Sequence, residues 1–150
     1  MHLADRARAL RSMVGALKPG GWLLVEEPDA ASSLPDPRAS GAELFAKGTS
    51  AYNKVQTDAG VDVHCGRQLY RDVRAVGLVD VDGEGRVPVI HAGSPGARFW
   101  QLTITQRRDT IVGEGLLTDD EMGRLLALFD DTAFAAMESV IMTVWGRKPD

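Results

Sequence analysis

One run of residues, Leu17-Lys18-Pro19-Gly20-Gly21-Trp22-Leu23-Leu24-Val25-Glu26-Glu27-Pro28-Asp29, restricts the fold of this chain more than any other. Lys18 stands where a cation favours a helix C-terminus, Pro19 cannot continue a helix, and the glycine pair tolerates the positive φ of a helix stop. Trp22 to Val25 is then an uninterrupted apolar run, which suits a strand covered by helices on both faces. Glu26, Glu27 and Asp29 fall at the carboxyl end of that strand, where parallel α/β sheets meet their ligands. They are the first candidates for substrate contact; the plainer reading is that they solvate the strand end.

The flanking segments read as alternating helices and strands. Asp5 can cap a helix whose Ala9, Leu10, Met13, Val14 and Leu17 share one face. Residues 30–37 lack periodicity and read as a loop, and residues 38–59 show helical spacing through Leu44, Phe45, Tyr52 and Val55. Leu69, Val73 and Val76 stripe a helix that Gly77 ends, and Leu78 to Asp82 alternates as a strand with Val79 and Val81 on one face. Asp82-Gly83-Glu84-Gly85 reads as a hairpin turn towards Val87 to His91. Ser94-Pro95 opens a helix through Phe99, Trp100, Ile104 and Ile111, and Thr118 with Glu121 forms a capping box before Met122, Leu125, Leu126 and Phe129. Val140 to Trp145 closes the chain as a strand.

Bulk properties exclude some partners. The 150 residues amount to one domain, and a net charge of -4 argues against nucleic acid, which is held by clustered Lys and Arg. Arg6, Arg8 and Arg11, and again Arg67, Arg71 and Arg74, are spaced as solvated helix faces. Cys65 is the single cysteine, which fits a reducing, cytoplasmic setting. No apolar run approaches the roughly 20 residues of a membrane span, so no membrane is expected as a partner.

The LkPGGwLlvEepD pattern of residues 17–29 resembles class I S-adenosylmethionine-dependent methyltransferases at their fifth strand and its preceding helix. Gly66 to Val81 resembles that family's next helix and sixth strand, and Thr143 to Pro149 its closing seventh strand. The resemblance implies an α/β fold, the C-terminal part of a Rossmann-like methyltransferase sheet: a three-stranded mixed sheet within one domain, residues 1–150, with lid helices inserted at 38–59 and 94–130. It implies that the strand ending at Trp145 lies between the Trp22 and Leu78 strands, antiparallel to both. It also implies that Met1-His2-Leu3 follows the family's fourth strand, so that the chain starts in mid-fold and His2 is a cofactor-side residue. The uncovered edge of the Trp22 strand then points to a homo-dimer.

S-adenosylmethionine is the cofactor so implied, yet the glycine-rich turn and acidic strand end that would hold it are not in this sequence. Gly83-Glu84-Gly85 and Gly113-Glu114-Gly115, the only Gly-x-Gly triplets, read as a turn and a helix end. Methyl transfer is an in-line displacement governed by positioning, so no residue signature is compulsory and no catalytic residue is assigned. Glu26 and Glu27 point to opposite faces, so at most one serves a given pocket. His64, beside Cys65, is a candidate substrate contact or else a loop histidine; no spaced partners suggest a metal. Trp100 is a candidate pocket wall, with core packing as the alternative. Two functions follow: a methyltransferase of small molecules represented by its substrate-side portion, or a non-catalytic α+β domain for ligand binding or dimerisation.

Overall fold

A computed structural model describes residue 3 and residues 5–150. In chain order the elements are α1 (Arg6–Ala16), β1 (Trp22–Asp29), β2 (Leu34–Pro35), α2 (Ala42–Asp58), α3 (Cys65–Arg74), β3 (Val79–Arg86), β4 (Val89–His91), α4 (Pro95–Gln106), α5 (Arg108–Gly113), α6 (Asp119–Leu128), β5 (Ala135–Met137) and β6 (Val140–Arg147). They form two compact units. The first holds the described residues up to Ala30 with Val61–Arg86 and Val140–Asp150, and the second holds Ala31–Gly60 and Val87–Ser139.

The first unit is built on a sheet of order β1-β6-β3. The last strand lies between the other two and runs antiparallel to each, with Val25 opposite Val144 on one side and Gly83 opposite Val144 on the other. The order follows the sequence-based expectation, but the sheet is not mixed: β1 and β3 share a direction without being neighbours, so every pairing is antiparallel. Asp5 caps α1 by accepting from the Arg8 N–H at 2.8 Å. The cation at the end of α1 is not Lys18 but Lys148, whose Nζ donates to the Leu17 carbonyl at 2.7 Å.

Alternation along β1 divides its side chains. Leu23 joins Leu10, Leu69, Val73, Leu78 and Val144 in the core under α1 and α3, whereas Trp22 and Leu24 are 55% and 60% exposed. The apolar run therefore does not mean helices on both faces here. Its even positions remain open to solvent.

Two readings of β3 are corrected. The expected turn at Asp82 to Gly85 is continuous strand, paired with β6 from Asp82↔Trp145 to Arg86↔Ile141. The glycines serve close approach instead: a Cβ on Gly83 would lie 2.9 Å from the Thr143 carbonyl oxygen, and one on Gly85 2.9 Å from Val140 Cγ1. Val79 and Val81 do not share a face, because the register slips between Val79 and Asp82 and Asp80 takes a φ of 52°. This bulge leaves Val79 exposed while Leu78 and Val81 reach the core.

The second unit has its own sheet, of order β2-β5-β4, with Leu34 and Val89 both opposite Met137. Residues 87–91 thus do not return against β3. These strands are two and three residues long, too short for a periodic signal. The helical starts follow their sequence signals. Ser94 Oγ accepts from the Ala97 N–H at 3.1 Å, and Thr118 and Glu121 exchange bonds of 3.1 and 2.9 Å. The helix from Ser94 breaks at Arg107, which divides α4 from α5.

The segments expected as lids fold around a core of their own. Phe45 is at its centre, with ring centroids 5.4 Å from Phe134, 6.3 Å from Phe129 and 6.4 Å from Trp100. Of the two alternatives open for Trp100, pocket wall or core packing, it takes the second: Phe45 and Trp100 are buried together and Tyr52 packs edge-on to Trp100. Phe99 stays exposed.

Candidate functional site

The carboxyl end of β1 is organised by ion pairs that join elements far apart in sequence. Asp29 is 5% exposed and takes both prongs of Arg67, Nε at 2.5 Å and Nη2 at 2.9 Å. Such a fork holds one orientation more firmly than a single bond. It depends on Gly66, where a Cβ would lie 2.6 Å from the Asp29 nitrogen and 2.9 Å from the Pro28 carbonyl carbon. Only a residue without a side chain lets α3 start against the end of β1.

Glu27 faces the other way from Glu26, as alternation requires. With Arg6, Cys65, Asp72, Leu10 and Val25 it lines a cavity of about 40 Å³. That volume suits roughly three waters and is about an eighth of the roughly 300 Å³ at which small-molecule sites begin. Glu26, on the exposed face, accepts a 2.6 Å bond from the Thr143 hydroxyl across the β1–β6 pair.

Arg6 organises the cavity wall, donating to Asp62 at 2.9 Å and to Gln68 at 2.8 Å, with Asp72 3.4 Å away. Burial works against its charge, but the interaction with Cys65 and the charges of Asp62 and Asp72 outweigh that and hold the guanidinium above its ordinary pKa. Asp62 answers in the opposite sense. Desolvation would raise its carboxyl, but the His64 backbone N–H and the Arg6 charge and hydrogen bond hold it below its usual value.

His64 is exposed, immediately before α3, and its backbone N–H donates to Asp62 Oδ1 at 3.0 Å. Trp100 belongs to the core of the second unit, 3% exposed, with its Nε1 unpartnered. His2 lies outside the described residues. Among the described residues, no three His, Cys, Asp or Glu side chains gather as metal ligands, and no helix is long and apolar enough to cross a membrane.

Sequence reasoning missed Arg6 and Arg67, read as solvated faces. No local signal marks them, since their partners Asp62 and Asp29 are 56 and 38 residues away. A second concavity, about 360 Å³, lies on the sheet of the second unit beside Leu34, Pro35, Val89 and Met137. Its size falls in the small-molecule range.

No protein-family profile matches the chain, and no curated protein matches it. Solved structures that resemble it include phosphoethanolamine N-methyltransferase 2 of Haemonchus contortus with phosphomonomethylethanolamine and S-adenosylhomocysteine, at 13% identity and a TM-score of 0.45. The same enzyme with S-adenosyl-L-methionine matches at 13% identity and a TM-score of 0.44. In both, 99% of this chain is covered but only 31% of the other, so the chain spans about a third of their length. A likeness of that degree assigns neither fold nor activity.

Proposed function

We propose that this chain is the substrate-side portion of an S-adenosylmethionine-dependent methyltransferase acting on a small molecule. The observation that carries the reading is the sheet order β1-β6-β3, with the closing strand inserted antiparallel between two strands of common direction. That arrangement is the one implied by the resemblance of residues 17–29, 66–81 and 143–149. Few connections place a final strand between two earlier ones, because sequential strands usually neighbour each other.

The residues present do not fit the cofactor itself. The cavity beside Glu27 is about 40 Å³, far below what a nucleoside needs, and the sequence carries no glycine-rich turn after a strand for it. No catalytic step is therefore derived through it. What this chain contributes in the reading is the acceptor side: the Arg67 fork holds Asp29 as a rigid support at the strand end, and Glu27 lines the small cavity with Arg6 as a support for that end and not as a contact of the acceptor. His64, exposed just before α3, is a secondary contact of the same proposal, the reducing interior of the cell its setting, and nucleic acid and membrane outside its partners; Glu26 is on the opposite face and Trp100 in the core of the second unit, so neither belongs to it.

Two measurements test it. Calorimetry on the 150-residue chain should show no saturable S-adenosylmethionine binding; a micromolar dissociation constant, about -8 kcal/mol, would place a cofactor site within these residues. Tagged chain recovered from its own cells with whatever accompanies it should be labelled by radioactive S-adenosylmethionine under ultraviolet light. An unlabelled complex without methyl transfer would refute the enzyme reading. The groove of about 360 Å³ favours the alternative, a non-catalytic ligand-binding domain, which predicts stabilisation by an apolar ligand with no dependence on the cofactor.

A further inference from the structure

We infer that two copies of this chain associate through the edge of β1 that no described strand pairs with, antiparallel about Leu24, into one continuous six-stranded sheet. The first observation is an asymmetry between the two edges of the β1-β6-β3 sheet. The β3 edge is guarded: it carries the bulge at Asp80, and Asp80, Asp82, Glu84 and Arg86 are all exposed. Bulges and charges are the usual devices that keep a sheet edge from pairing. The β1 edge carries none of them over Trp22 to Val25, and its exposed face presents Trp22 and Leu24. Within β1, Pro28 lacks an N–H and limits pairing, but at the far end from Trp22 to Val25.

The second observation is that this edge is complementary to itself in one register. Setting Leu24 against Leu24 of the second copy also sets Leu23 against Val25, so apolar meets apolar on both faces. On the exposed face Trp145 neighbours Leu24, and the dimer would carry an unbroken apolar row, Trp145, Leu24, Leu24 and Trp145. Charge agrees with this register. Each Glu26 faces the uncharged Trp22 of the other copy, and the two Glu26 carboxylates stand four residues apart, about 14 Å at the strand rise. Like charges are thus kept apart and no acid is set against another. A second copy fits this edge better than an unrelated strand because one register satisfies apolar and charged positions together. The inference does not rest on the methyltransferase reading.

Sedimentation equilibrium of the full chain should show a reversible monomer–dimer equilibrium at micromolar concentrations. The double variant Trp22→Lys/Leu24→Lys should weaken it roughly 100-fold, the scale of losing two central contacts, with circular dichroism kept, and with the thermal midpoint kept at concentrations where both proteins are monomeric, because both side chains are exposed. The register is read by Leu24→Cys, which should form a disulfide-linked dimer under mild oxidation, native Cys65 being fully buried; Asp82→Cys on the guarded edge should not. A monomer at all concentrations overturns the inference, as does a dimer that survives the double lysine variant. A dimer that Leu24→Cys fails to cross-link overturns it equally.

Discussion

Gly66→Ala should destabilise the protein even though alanine is the better helix former. The added Cβ would sit 2.6 Å from the Asp29 nitrogen and 2.9 Å from both Asp29 Cβ and the Pro28 carbonyl carbon. Two of these neighbours are backbone and cannot rotate away, so restoring ordinary contact requires α3 to retreat from β1 by about 0.8 Å. A gap of that size forfeits a quarter to a half of the dispersion between Leu69, Val73 and the sheet they cover. Overpacking of this kind costs about 1–3 kcal/mol, against less than about 1 kcal/mol gained from helix propensity near the first turn. We expect a net loss of about 2 kcal/mol, a fall of roughly 4–8 °C in the unfolding midpoint for a chain this long. Gly123→Ala is the internal control. It makes the same chemical change inside α6, where nothing lies within 4 Å of the new Cβ, and should stabilise by about 0.5–1 kcal/mol. Urea unfolding followed by circular dichroism reads both. A Gly66→Ala protein as stable as the parent would refute the claim that α3 is seated by the missing side chain.

Arg67→Lys keeps the charge but loses the fork to Asp29, and with Arg67 half-exposed the loss should be about 1 kcal/mol in urea titration; no change would show the pair to be incidental. Asp62 has its carboxyl held below the ordinary range by the His64 N–H and Arg6 acting against desolvation. Its contribution is therefore present above the ordinary carboxylate pKa and is lost as pH falls through the lowered one. The stability gap between the parent and Asp62→Asn should accordingly close as pH drops below about 4, and a gap independent of pH would contradict this. Thr118→Ala removes half of the α6 capping box and should cost about 1 kcal/mol, measured by thermal melting; a loss under about 0.3 kcal/mol would show the box to be redundant.

Signals that act within one helical turn were legible in the amino-acid order. Asp5, Ser94-Pro95 and Thr118 with Glu121 announced the starts of α1, α4 and α6, since a cap and the N–H it satisfies are at most three residues apart. The apolar runs at Trp22 and Val140 announced β1 and β6, and resemblance supplied their adjacency. The separation of Glu26 from Glu27 needed nothing beyond strand alternation.

What the sequence could not carry depends on which backbone arrives beside a residue. Gly83 and Gly85 have the same local chemistry in a turn as in a strand, and only the approach of Thr143 and Val140 decides between them. The two-residue strand at Leu34 exists because β5, a hundred positions later, offers it partners. Arg6 and Arg67 looked solvated because an arginine's charge is read from its own helix, whereas Asp62 and Asp29 reach them from loops and strands elsewhere. The second sheet, the open face of β1 and the small cavity beside Glu27 belong to the same class. Sequence by itself determined the elements stabilised by neighbours along the chain; tertiary structure alone decided the contacts between distant residues, because close packing is a property of converging surfaces and not of the order in which they are written.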